Sequence, residues 1–336
     1  MGHSEGTGVG ARKRRILYLA SEYPQISQSY VTTEIRALAD AHEIFVVSRS
    51  AANLPCRVHE QFEVTRDLAR MVEIVRAFRP DAIHAHYVSF APTLEALAAR
   101  TGVPYTIRAH SFDAMADGPP LSVGDACLGV LAFPFTHANL EARGIPADKL
   151  HETWPVVDFA RFHDRSPNGD AILNVGACQP KKHFESYVEL ARLARDLRFD
   201  LYAIGYDIAR LRTHNASRGS WAHVFDAVQP EEMPAVYKRH RWLVYTACRK
   251  LATVGWPIAV AEAQAAGLGV CMPNLRPDVA TYLGGAGFVY DSIAELPDLL
   301  RRPVPDEVRE RGFEQARRSD IAVHKRTLVE LWERAH

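Results

Sequence analysis

Two Rossmann-like α/β halves facing each other across a cleft are what this sequence predicts. Short apolar runs alternate with amphipathic stretches from residue 14 onward, the mark of βαβ units on a parallel sheet. A polar, turn-rich segment at 159–169 interrupts the alternation, and a second series restarts at Ala171. A chain of 336 residues has room for two ordinary domains.

In the first half, strands are expected at 15–20, 44–47, 82–86, 104–108, 126–132 and 149–154, with helices at 31–39, 62–78 and 92–100. Val31, Ile35 and Leu38 set the helical spacing of the first of these helices. The second half reads as strand 171–175, helix 184–197, strands 200–205 and 222–226, helix 230–239, strand 242–246, helix 257–266, strand 269–272 and a helical tail from about 293. The expected division is a disordered basic arm at 1–13, one domain at 14–160, a second at 161–320, and a C-terminal helix at 321–336 that packs back on the first domain. Ligand sites in such sheets lie beyond the carboxyl ends of the strands, which makes the cleft between the halves the expected site.

Lys and Arg number 40, as do Asp and Glu, so the net charge is 40 − 40 = 0 and no long-range field attracts a polyanion. Nucleic acid is not an expected partner. With 47% hydrophobic and 24% charged residues the chain has the composition of a globular protein. Five scattered cysteines form no C-x-x-C pair, which indicates neither a disulfide framework nor a zinc site and suggests a reducing, cytoplasmic setting. The apolar run at 126–135 is far short of a membrane span. The basic cluster Arg12–Arg15 offers peripheral contact with an anionic membrane face, against the plainer reading of a solvated charge run.

Gly6, Gly8 and Gly10 look like a phosphate loop but precede the first strand, which removes the helix N-terminus that the mechanism needs. No two aspartates stand at i, i+2, so an Asp-x-Asp metal clamp has no candidate and a metal-free site is expected. His84 and His86 share one face of a strand as metal ligands do, yet no carboxylate or cysteine cluster accompanies them in the sequence, which favours core or cleft histidines. The most informative stretch is Val254–Val270. Pro257 opens a short apolar helix, Gly267 stops it, and Glu262 sits in its second turn among Ala and Val, where a carboxylate needs a polar partner. The backbone donors at the start of this helix suit a phosphate, and ligand hydroxyls suit Glu262.

These and other segments, in order, resemble the retaining glycosyltransferases of family four, with the GT-B fold, and among them the exopolysaccharide and colanic-acid type. The matching pieces are Glu22–Val31 with Glu34-Ile35, Pro80–His86, Thr106–Asp113, Gly144–Leu150, Ile172–Lys182, Glu231–Tyr237, and Gly255-Trp-Pro with Glu262 and Ala266-Gly267. The resemblance implies transfer of a sugar from a nucleotide-diphosphate donor to an acceptor it does not identify, with retained anomeric configuration, and with neither metal nor bound cofactor. It makes 14–160 the acceptor domain and 161–320 the donor domain, closing about a hinge at 155–170. It implies that Glu262 binds the donor ribose and Lys182 the diphosphate, with His110 near the transferring sugar and Gly176 and Gly255 in the donor loops. Ser27, Ser29, Tyr30, His86 and Arg108 fall on the acceptor side. The family arginine after V-G is here Ala177, the first glutamate of the Glu-x7-Glu pair is Val254, and the glycine after the lysines is His183. Arg249 and Lys250 are candidates to return the missing positive charge. A non-catalytic nucleotide-sugar binding or scaffolding protein is the second reading, motivated by Ala177 and Val254.

Overall fold

The structure, a computed structural model, describes residues 12–334 apart from 206 and 252. Its first sheet has seven strands: β1 (Arg14–Tyr23), β2 (His42–Ala51), β3 (Gln61–Val64), β4 (Ala82–His86), β5 (Tyr105–Arg108), β6 (Cys127–Ala132) and β7 (Leu150–Glu152), in the order β3-β2-β1-β4-β5-β6-β7. The second has six: β8 (Ala171–Ala177), β9 (Phe199–Ile204), β10 (Ala222–Phe225), β11 (His240–Val244), β12 (Gly269–Pro273) and β13 (Phe288–Tyr290), in the order β10-β9-β8-β11-β12-β13. Neighbouring strands are parallel throughout both sheets. Such sheets must be covered on both faces, which is why central strands such as Ile16–Ala20 are buried without alternation.

Several expected boundaries move. The helix expected at 62–78 is a strand, β3, followed by a helix only at Leu68–Phe78. β3 adds to the β2 edge, and Asp67 caps the helix by accepting from the Ala69 N–H at 2.9 Å. The helix expected to reach 197 stops at Leu193, and the Pro230 segment opens as a 3-10 turn before the Met233–Lys238 helix. A helix at Ile208–Ser217, between β9 and β10, was not anticipated; its face is polar apart from Leu211 and Ile208, so its periodicity is faint.

Two crossings tie the halves together. The chain passes from β7 through Trp154–Phe162 into the second half, and the C-terminal helix Ile321–Glu333 returns to the first. Where these segments meet, Val157 and Ser319–Ile321 exchange backbone hydrogen bonds at 2.9 Å. Leu328, Leu331 and Trp332 pack under β1 with Ile16 and Tyr18, each fully buried aliphatic contributing about 1.5–3 kcal/mol. The Lys325 ammonium caps the first helix (Ser29–Ala39) at the Ala37 carbonyl, 3.0 Å away. Phe133 and Trp154 from the first half and Trp256 from the second join one aromatic core, with Trp256 stacked on Tyr282 at 4.9 Å.

Of the arm expected at 1–13, only residues 12 and 13 are described. Residues 1–11, including the Gly6–Gly10 run, lie outside the described part, but Arg14 and Arg15 belong to β1. Arg12, Arg14 and Arg15 face Asp81, Glu333 and Glu43 at 3.4, 3.8 and 3.1 Å, so these guanidinium groups have carboxylate partners within the protein. No helix among the described residues is long and apolar enough to cross a membrane.

Candidate functional site

A cleft of about 340 Å³ opens between the two sheets at the carboxyl ends of their strands, where both switch direction of winding. Its second-half wall is built from the end of β8. Gly176 has φ +146, and a Cβ there would lie 3.2 Å from the Lys182 side chain, so the strand turns aside only with glycine. The Pro180–Lys182 turn that follows is pinned to the exit of β11: the Thr246 hydroxyl donates to the Lys182 carbonyl at 2.8 Å and the Cys248 N–H to the Lys181 carbonyl at 2.9 Å. Lys182 leans on Tyr245, with Nζ 3.2 Å from the hydroxyl and 4.4 Å from the ring centre.

Lys181 lines the same cleft and lies over the Phe112 ring of the opposite wall at 5.5 Å. Among the described residues no carboxylate pairs with either lysine. Burial lowers both ammonium groups to about 8, and for Lys181 the neighbouring Lys182 charge adds to the effect. Two half-buried cations side by side have the charge that an anionic group would pair with.

Deeper in the cleft, the Ile258–Ala265 helix places Glu262 on the lining. The Tyr237 hydroxyl donates to its Oε2 at 2.7 Å. Burial raises the carboxyl pKa, while the Tyr237 bond and the charge of Arg161 oppose that rise. One hydroxyl leaves a carboxylate with acceptor capacity to spare. Arg161 comes from the crossing segment, lines the cleft, and donates to the Pro230 carbonyl.

The first-half wall is aromatic and histidine-rich. His110, at the end of β5, is sandwiched between Tyr30 and Tyr87, each ring centre 4.6 Å away. The Tyr30 and Tyr87 hydroxyls are 2.5 Å apart. Tyr87 has φ +88, a strained conformation for a side-chain-bearing residue of the kind that collects at binding sites. The two walls touch at Gly255, where a Cβ would fall 2.1 Å from the Ser111 hydroxyl oxygen.

Behind this wall lies a buried carboxylate, Glu34. Its Oε1 faces Tyr18 Oη at 3.1 Å, His84 Nε2 at 3.0 Å and His86 Nε2 at 3.3 Å, and its Oε2 faces the Arg108 guanidinium at 2.5 and 2.8 Å. Burial alone would raise the Glu34 pKa; Arg108 and the histidines outweigh it and hold the group well below the usual range. The carboxylate that seemed missing beside His84 and His86 is therefore present, donated by a helix 50 or more residues away in sequence. Glu34, His84 and His86 bring three ligand atoms within 4.8 Å, yet they do not fit a metal centre. Arg108 already neutralises the carboxylate, and a cation would meet the guanidinium across it.

The structure thus brings Lys182, Glu262, Gly176, Gly255, His110, Ser27, Ser29, Tyr30 and Arg108 to one cleft. It does not bring Arg249 or Lys250 there. Arg249 turns to the Tyr290 and Asp291 carbonyls at 3.0 and 2.5 Å, and Lys250 is exposed outside the lining. His86 is fully buried behind His110 instead of lining the acceptor side. Sequence reasoning missed Lys181, whose signal was the lysine doublet itself, and Arg161, which carried none.

No family model matches the chain, and no curated protein does. Solved structures do. Anabaena HepE in complex with UDP and glucose superposes with a TM-score of 0.72 at 14% identity, covering 94% of this chain and 98% of that one. AviGT4, a glycosyltransferase involved in avilamycin A biosynthesis, gives 0.67 at 17%, covering 96% and 98%. The sucrose-phosphate synthase of Thermosynechococcus elongatus gives 0.68 at 13%, covering 96% and 100%. The fold is GT-B. The cleft described above lies between its two domains.

Proposed function

We propose that the protein is a glycosyltransferase that moves a sugar from a nucleotide-diphosphate donor onto an acceptor, with retention of configuration and without a metal. The observation that carries this reading is the pair Lys181 and Lys182, cations without a carboxylate among the described residues, in the same cleft as the buried, under-partnered Glu262. A diphosphate on the lysines and ribose hydroxyls on Glu262 answer both vacant interactions with one molecule. The UDP and glucose bound to HepE support the same class of ligand for this fold.

In the proposed reaction the acceptor hydroxyl oxygen forms a bond to the anomeric carbon on the face from which the diphosphate departs. The carbon–oxygen bond to the phosphate breaks, and the hydroxyl proton passes to the departing phosphate oxygen. Negative charge grows on that oxygen, where two lysines already stand, which is how fixed charges lower a barrier. Lys181 takes the place of the cation lost at Ala177. Charge neutralisation by lysines leaves a divalent metal no necessary part. Cytoplasmic location belongs to this proposal as the compartment that supplies nucleotide sugars.

Calorimetric titration with a panel of nucleotide sugars, followed by mass analysis of products, tests the reading. Binding with sugar transfer or slow donor hydrolysis is expected, and both are lost in Lys182→Ala and Glu262→Ala. Binding without any turnover supports a non-catalytic nucleotide-sugar binding protein instead. No binding to any donor overturns the proposal.

A further inference from the structure

The polar chain behind His110 has only one consistent direction of donation. Glu34 is a carboxylate held ionised by Arg108, so it only accepts. His84 and His86 both place Nε2 near its Oε1, at 3.0 and 3.3 Å; neither contact is aligned as a hydrogen bond, but a lone pair facing the carboxylate at that distance would be repelled, so their protons belong on Nε2. A neutral imidazole carries one N–H, so His86 Nδ1 is an acceptor. Its neighbour at 3.1 Å is His110 Nε2, which must therefore carry the hydrogen. The far end is compatible with this direction. The Trp332 indole can only donate, and it does so to the Thr106 hydroxyl oxygen at 3.0 Å; that hydroxyl is free to donate to His84 Nδ1 at 2.7 Å, leaving His84 Nε2 protonated toward Glu34. Both branches point at the same carboxylate.

We propose that Glu34 and His86 are positioning residues that lock the His110 ring as its Nε2–H tautomer, so that the lone pair left to His110 is on Nδ1. The inference rests on the reading of the cleft as a donor site. A group that meets Nδ1 must bring a hydrogen, and within the chain the backbone N–H of Asp113, at the start of the turn that His110 caps, is placed to do so. Burial holds His86 down to about 4 and His110 well below its usual value, so the neutral forms persist through neutral pH.

The test is long-range proton–nitrogen correlation NMR on the full chain carrying nitrogen-15 histidine, with the His110 signals assigned by their loss in His110→Asn. The expected spectrum shows His110 with a protonated Nε2 and a pyridine-type Nδ1 at pH 7. The opposite tautomer, or an imidazolium, overturns the proposal. His86→Leu removes the acceptor and is expected to give mixed His110 tautomers and about 10- to 100-fold slower transfer, as for lost supporting partners elsewhere. His86→Gln restores the direction, its carbonyl accepting from His110 and its amide donating to Glu34, and is expected to recover the single tautomer and most of the rate. If both variants leave the tautomer unchanged, the positioning role is wrong whatever their rates. The two readings fail separately: a wild-type tautomer as expected with no nucleotide sugar bound sinks the donor reading alone, while donor transfer with the opposite tautomer sinks this one alone.

Discussion

The two walls of the cleft treat buried polar groups in opposite ways. On the first-half side each oxygen of Glu34 faces two or more donors, and Arg108 extends the network to Thr153 at 2.7 Å. On the second-half side, among the described residues, Lys181 and Lys182 have no carboxylate and Glu262 has one tyrosine hydroxyl. A charge-balanced, closely packed network fixes geometry, because every member resists displacement, although His84 Nε2, His86 Nε2 and Arg108 Nη2 approach the carboxylate without hydrogen-bond alignment. An unsatisfied set stores unmet interactions for a ligand to supply. Under the proposed function, the contrast would give the first wall the part of shape and the second that of binding.

The largest effect tests the first wall. Glu34→Ala leaves the fully buried Arg108 guanidinium without its carboxylate, a change that costs about 3–5 kcal/mol. That is a large share of the roughly 5–15 kcal/mol of a typical domain, so a fall in urea midpoint and poor soluble yield are expected. Replacing both partners, Glu34→Leu with Arg108→Met, should cost less than Glu34→Leu alone. A Glu34→Ala protein within about 0.5 kcal/mol of the wild type, the range of ordinary surface substitutions, breaks the comparison.

Lys182→Met probes the other wall, and its signs are opposed. Transfer should fall about 10²- to 10³-fold with the charge gone, while the melting temperature holds or rises. Folding lowers this lysine from its usual 10.5 to about 8, so carrying the proton into the cleft costs stability below pH 8, a cost that fades as pH climbs from 8 to 10.5. Methionine removes that cost and keeps the packing on Tyr245. Loss of activity together with loss of stability would mean that Lys182 holds the fold and not a ligand.

The same protons give donor binding a pH profile. A diphosphate binds the ammonium forms and raises their pKa, so affinity for an intact nucleotide sugar should be level near neutrality and weaken above about pH 8, by up to about tenfold per pH unit for each lysine that must take up a proton. Calorimetry in two buffers of different ionisation enthalpy reads the proton uptake directly. Affinity flat from pH 7 to 10 would remove both lysines from the phosphate site.

How much of this was readable in advance follows from contact distance along the chain. The alternation of strands and helices is local, so all but the edge strands β3 and β13 of the two sheets were legible, with the Glu262 helix and the glycine at 176 beside its lysine. Glu34 was visible within a motif but not as the hub, because its partners Arg108 and His84 reach it only through the β1-β4-β5 order of the sheet. Arg249 looked available because it sits just upstream of the Glu262 helix; the free carbonyls at the end of β13 capture it, and nothing local announces that β13 ends there. Arg161 acquires its place from the crossing of the domains alone.

The smallest predicted effect concerns the turn that holds the lysines. His183 adopts φ +48 and ψ +50, the left-handed region that favours glycine, and its ring reaches Ser186 at 2.6 Å. His183→Gly and His183→Ala both lose that exposed hydrogen bond, so the difference between them reports the backbone alone. Left-handed geometry costs a Cβ-bearing residue about 1–2 kcal/mol, partly offset by the greater freedom of glycine in the unfolded chain. The glycine variant should therefore be more stable than the alanine variant by about 1 kcal/mol in denaturant titration, with donor affinity kept by glycine and weakened by alanine, since any shift of the turn moves Lys181 and Lys182 with it. Equal stability would show that the turn relaxes out of the left-handed region, and that the binding wall is softer than its pinning to Thr246 and Cys248 implies.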